Sequence, residues 1–329
     1  MFPSRAAGKC FLTIRCQLRT ALIGPGEMAE FVLGCVQLGL VYGAANRTGK
    51  PSHTAALRLL SRAVASGIQT YDVARAYGDA EDRLGEALSA RPVGIITKLS
   101  PLSTIRDDAS ADQAVTAVET SIAASREALR RNRLDCLLLH RAAHRTLWGG
   151  AAWRRLLDYR SAGVITRLGI SAQSAAEADA ALADPDVQHI QLPFNLLDRR
   201  WTHVLALCAA RPDVTVHVRS VFLQGLLAAN DAALWPSIEG VDAAAVVTAI
   251  KALVRDLHRD SAADLCLAYV RGQPEIHGLV IGLETEDQLD ANLALFAKQP
   301  LSAAECAIVN AVLPWFPEQL LNPALWPKK

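Results

Sequence analysis

The feature that most constrains this chain is an alternation repeated eight times. From residue 31 onward, short β-rich runs are each followed by a helical pattern. The strand candidates are Phe31–Gln37, Ile68–Val73, Gly94–Leu99, Asp135–His140, Thr166–Ser171, His189–Phe194, Val214–Val221 and Gly278–Leu283. Most are nearly all apolar, as strands covered on both faces are. Between them, apolar residues recur at spacings of three and four: Leu57, Leu60 and Val64 in one segment, Val115, Val118, Ile122 and Leu129 in another. Eight such units predict an α/β fold, a (β/α)8 TIM barrel. A doubly wound open sheet is the alternative. It would want a glycine-rich phosphate turn after its first strand, and the sequence has none there.

Two additions are expected on the minimal barrel. One is a long loop after strand seven, Leu223–Gly240. The other is a C-terminal helical extension, with a helix over Ala303–Leu313 and a proline-rich end. Barrel enzymes carry such insertions over the C-terminal mouth, where substrate binds. Residues 1–26 carry Arg5, Lys9, Arg15 and Arg19 and no acid, and the only methionines are Met1 and Met28. The apolar stretches there are too short for a secretory signal. We read 1–27 as an N-terminal extension or a misassigned start, and 28–329 as one barrel domain.

Composition excludes several classes. A formal net charge of +1, with 51% hydrophobic residues, is neither disordered nor the basic profile of a nucleic-acid binder. No apolar run reaches the roughly 18 residues of a membrane helix. The seven cysteines are scattered and form no CxxC, which argues against a disulfide framework and fits a reducing cytoplasm.

In a barrel, chemistry belongs at the C-terminal ends of strands. Strand two ends near Asp72, with Tyr77 five residues on; strand three ends near Lys98; strand four ends in His140. An unperturbed phenol is a poor acid, with a pKa near ~10. A lysine ammonium beside it favours the phenolate, a carboxylate keeps that lysine charged, and an imidazole can hydrogen-bond a carbonyl oxygen. The set lacks a nucleophile and a metal cage. What it needs is a hydride, which points to a nicotinamide cofactor.

Each residue alone has a plainer role. Asp72 and Lys98 could be a structural ion pair, Tyr77 a loop aromatic, His140 a core histidine; the four together favour the catalytic reading. Glu81 is assigned to stabilising the second helix, with Asp79 as its cap, and Arg75 to surface solvation. Cys136, His140 and His144 are spaced at four. Cys136 and His140 on one strand would lie roughly 13 Å apart, so no metal site is expected. Gly43–Lys50 fails the phosphate-loop pattern, since five residues separate its glycines and Pro51 follows the lysine.

The chain resembles the aldo-keto reductases over about 31–300. The resemblance is carried by TYDVARAYGDAEDRLGEAL (70–88), IITKLS (95–100), LDCLLLHRA (134–142), ITRLGISAQS (165–174), IQLPFNLLD (190–198) and GLETEDQLDANL (282–293). It implies that Tyr77 is the general acid, Lys98 and Asp72 its tuning pair, and His140 the group that orients substrate. It also implies NADP(H) or NAD(H) as cofactor, held by Ser171, Gln191, Arg219, Ser220, Gly282, Gln288 and Asn292. Ala172 stands where many members have asparagine. Arg219 stands where an aromatic ring often stacks on the nicotinamide; it could stack there itself, or face an anionic substrate or the cofactor pyrophosphate. The last βα loop, 282–288, carries three acids and no base, whereas the family's NADP preference comes from basic residues there. VLGCVQLGLVYGAANRTGKP and VRSVFLQGLL look like a bacterial subgroup associated with surface-sugar or secondary-metabolite synthesis.

The expected activity is reduction of an aldehyde or ketone to an alcohol, or the reverse. The partner is then a small-molecule carbonyl or alcohol, such as a sugar or sugar-nucleotide derivative, with no nucleic acid and no membrane involved. A redox-neutral epimerase on the same site, and a non-catalytic cofactor-binding regulator on the same fold, are the alternatives.

Overall fold

The structure is a computed structural model and describes residues 29–327; the stretch 1–27 lies outside the described residues. Eight strands form a closed barrel in sequence order, every neighbouring pair parallel. They are β1 (Glu30–Gly34), β2 (Thr70–Asp72), β3 (Gly94–Lys98), β4 (Leu134–Leu139), β5 (Ile165–Ser171), β6 (His189–Pro193), β7 (Thr215–Arg219) and β8 (Gly278–Gly282). Closure pairs β1 with β8 and leaves no strand edge open. Among the described residues, no helix is long and apolar enough to cross a membrane.

All eight predicted strands are present, with two differences that shape the site. β1 stops at Gly34 rather than Gln37, and Val36–Gly39 forms a single helical turn. That turn swings the Gln37 side chain in against β8, where it is buried. β2 is only three residues long, because Ile68 is taken up in the turn closing the preceding helix, its N–H donating to the Ala63 carbonyl at 3.1 Å.

The connecting helices start where small polar residues cap them. Ser52, Ser110, Ser174, Ser261, Thr285 and Ser302 each accept a hydrogen bond from the first turn of the helix they precede, satisfying N–H groups that have no partner within the helix. The helix over His53–Ala65 buries Ala56, Leu59, Leu60 and Ala63, so its core stripe is rotated from the predicted one and leaves Leu57 and Val64 half-buried. The helix over Ala111–Ala128 buries Val118 and Ile122 as expected, with Val115 half-buried.

The long loop after β7 is packed rather than free. It holds a short helix, Leu226–Ala229, and a 3-10 turn, Ala232–Leu234, and buries Leu226, Leu227 and Trp235. Beyond the barrel, the helix Ala303–Val312 starts in a capping box between Ser302 and Glu305. A turn at Pro323–Leu325 then returns the chain end to the barrel mouth.

Candidate active site

Side chains alternate across a strand, so residues two apart share a face. At the C-terminal end of the barrel this rule sends Asp72, Lys98, Ser171, Gln191, Arg219 and Gly282 inward together. The centre is a buried ion pair. Lys98 donates from Nζ to Asp72 Oδ1 at 2.6 Å and to the Val73 carbonyl at 3.1 Å, with only 1% and 5% of the two side chains exposed. Burial opposes the charge on Lys98, but the adjacent carboxylate outweighs it, and the ammonium's pKa lies above its usual value. Gln191 donates from Nε2 to Asp72 Oδ2 at 2.7 Å, so both carboxylate oxygens are engaged.

Tyr77 is set by a close backbone approach. Its loop crosses Gly39, where a Cβ would come within 1.8 Å of the Tyr77 carbonyl oxygen, so only glycine fits there. The Tyr77 ring lies with its centroid 5.1 Å from Lys98 Nζ and 6.1 Å from the His140 ring, edge to face. His140 is held neutral at physiological pH. Burial, then the charges of Lys98 and Arg219, push its pKa down to about 4. Its Nδ1 is buried with no hydrogen-bond partner among the described residues, which leaves Nε2 as the nitrogen available to the cleft.

These groups form one end of a cleft of about 630 Å³, within the usual range for small-molecule sites. Asp72, Tyr77 and His140 line it, as do Ser171, Arg219, Ser220, Gly282, Gln288 and Asn292. Lys98 and Gln191 do not reach its wall; both lie beneath it. Gln191 therefore supports Asp72 directly, and its Oε1 is buried without a partner among the described residues. Arg219 donates from Nη2 to the Ala172 carbonyl (3.3 Å) and to Gln173 Oε1 (2.8 Å), which ties it to the end of β5. Ser220 follows with a φ of +61°, a strained left-handed conformation that turns the chain sharply along the cleft.

Three secondary assignments change. Arg75 is not a solvated surface group: its Nη1 lies 2.5 Å from Oε2 of Glu81, whose side chain is 1% exposed. Glu81 also accepts from Thr97 Oγ1 at 2.6 Å, so it locks the Tyr77 loop to β3 rather than only steadying a helix. Asp79 sits at the cap position but makes no capping hydrogen bond and pairs with Lys50 and Arg83 instead. His144, buried in the 3-10 turn Ala142–Arg145, packs against the Trp148 ring at 5.1 Å. Among the described residues, no group of three or more His, Cys, Asp or Glu is arranged to hold a metal.

Sequence reasoning missed Gln37, Gln173, Phe222, Gln224 and Asn322–Ala324, all of which line the cleft. Gln37 packs where a Cβ on Gly282 would stand, 2.4 Å from its Oε1. The end of β1 shows no local pattern that foretells this. The cleft fits a nicotinamide dinucleotide: Ser171 lines it beside Asp72, Tyr77 and His140, where a carboxamide needs polar partners, and its wall continues to Gly282, Gln288 and Asn292 at the end of β8.

The parallel barrel thus carries an ammonium–carboxylate pair under a phenol, with an imidazole beside it. A model of the aldo/keto reductase family matches residues 32–314, and the chain belongs to that family. An aldo-keto reductase from Bacillus halodurans, solved in its holo form, is 21% identical with a TM-score of 0.69, over 87% of this chain and 93% of that one. The glycerol dehydrogenase from Gluconobacter oxydans is 18% identical with a TM-score of 0.66, over 87% and 91%. The search of curated proteins found no match. Family and fold imply NAD(P)H-dependent carbonyl oxidoreduction in general.

Proposed function

We propose that this chain reduces the carbonyl of a small molecule to an alcohol, or oxidises that alcohol, with Tyr77 as the proton donor or acceptor. The observation that carries the reading is the buried Lys98–Asp72 pair directly beneath Tyr77. The nicotinamide, when bound, supplies or takes up the hydride. Tyr77 gives its hydroxyl proton to the carbonyl oxygen, and the Lys98 ammonium stabilises the phenolate left behind. Asp72 holds Lys98 charged and in place. His140, neutral at pH 7, donates a hydrogen bond from Nε2 to the same oxygen and orients the carbonyl. Ser171, Arg219, Ser220, Gly282, Gln288 and Asn292 hold the cofactor along the cleft, with Gln191 supporting Asp72 from below.

Tyr77→Phe tests the assignment. It should lower kcat on an aldehyde panel by about 10²–10⁴-fold, the range for a lost general acid, with cofactor binding unchanged. Full turnover in Tyr77→Phe would refute it. A wild-type protein that binds nucleotide but turns over no carbonyl or alcohol would favour the regulatory alternative.

A further inference from the structure

The far end of the cleft carries its own chemical preference. A dinucleotide with its nicotinamide at Tyr77 and His140 that extends along the cleft past Ser220 and Gly225 would reach the end of β8. There Gly282, Glu284, Gln288 and Asn292 form the wall, and the adenosine ribose would come to rest.

The geometry of this turn holds Glu284 in place. Thr285 caps the helix Glu286–Phe296, its Oγ1 accepting from the Gln288 N–H at 3.2 Å. Gln288 Oε1 in turn accepts from the Glu284 N–H at 2.7 Å. Glu284 is half-buried and makes no ion pair among the described residues. Glu286 and Asp287 in the first helical turn offset the attraction that a helix N-terminus has for a phosphate.

Among the described residues, no cationic side chain lines this end of the cleft. Among the described residues lining the cleft, the charged side chains are Asp72, Arg219 and Glu284. Asp72 is neutralised by Lys98, and Arg219 is tied to β5 at the reacting end. Arg58 and Arg62, the bases across from the helix, are paired with Glu286 at 3.3 Å and Asp290 at 3.1 Å. A 2′-phosphate here would meet a carboxylate and no base. A free ribose diol would instead donate hydrogen bonds to that carboxylate.

We propose that Glu284 makes this cleft selective for NAD(H) over NADP(H). The inference rests on the oxidoreductase reading above and names the cofactor for that site. The test is a titration of the full chain with NADH and with NADPH, followed by quenching of its six tryptophans. Wild type, Glu284→Gln and Glu284→Lys are compared, with thermal melts confirming the fold. NADH should bind wild type at least about tenfold more tightly, since like charges brought together at a binding site are costly. Glu284→Gln should narrow that ratio, and Glu284→Lys should invert it. Equal or tighter NADPH binding by wild type would overturn the inference and leave the oxidoreductase reading standing, as would a ratio that neither substitution moves. Failure of both nucleotides to bind at micromolar concentration would overturn the oxidoreductase reading, and the inference with it.

Discussion

Lys98→Met removes one charge from the centre of the site while keeping the length of the side chain. In the wild type Nζ stands 5.1 Å from the centre of the Tyr77 ring. With an effective dielectric of about 20, a unit charge at that distance stabilises a phenolate by about 3 kcal/mol. Each ~1.4 kcal/mol of transition-state stabilisation is a factor of ten, so kcat should fall by about 200-fold. Stability changes separately, because Asp72 stays buried and retains only the Gln191 bond at 2.7 Å. Breaking a buried pair by removing one partner costs about 3–5 kcal/mol. The double variant Asp72→Asn/Lys98→Met separates the two effects. It carries no buried charge, so its urea midpoint should return toward wild type while kcat stays low. The assay is loss of NADH absorbance with an activated aromatic aldehyde, beside urea unfolding of all three variants. A fall in kcat of less than about fivefold in a folded Lys98→Met protein would refute the electrostatic role assigned to Lys98. So would recovery of kcat in the double variant.

Gly39→Ala places a Cβ 1.8 Å from the Tyr77 carbonyl oxygen and 2.9 Å from the Ala80 nitrogen, so it should displace the Tyr77 loop. Turnover should then drop by at least about tenfold, the scale expected when a catalytic group is misplaced; wild-type kinetics in that variant would contradict the close approach. Acid should destabilise the fold before its carboxylates titrate. Burial pushes His140 and His144 down to about 4, from an ordinary 6.5. Between those values the unfolded chain binds more protons than the folded one, so stability rises with pH through the window and falls on acidification. The slope should reach up to about 1.4 kcal/mol per pH unit for each histidine. His144→Phe, which keeps the packing on Trp148, should flatten the decline in urea midpoint between pH 6.5 and 5; an unchanged slope would remove His144 from the account.

The fold was legible because its signals are local. Strands buried on both faces read as apolar runs, and the runs end where Asp72, Lys98 and His140 break them. Roles that depend on contacts distant in sequence were not legible. Nothing near Gln191 indicates that it reaches across the barrel to Asp72, 119 residues away. Arg75 looked solvent-facing until the fold brought the buried Glu81 carboxylate against it.

Sequence by itself determined the barrel, the strand ends that carry the chemistry and the acidic character of the last βα loop, because periodicity and residue type are properties of the chain. Tertiary structure decided which of those groups touch. Barrel closure and the twist of β1 into a helical turn set Gln37 against Gly282, brought Gln173 to Arg219 and folded the chain end back to the mouth. Contacts of that kind depend on three-dimensional packing, and no local pattern in the chain encodes them.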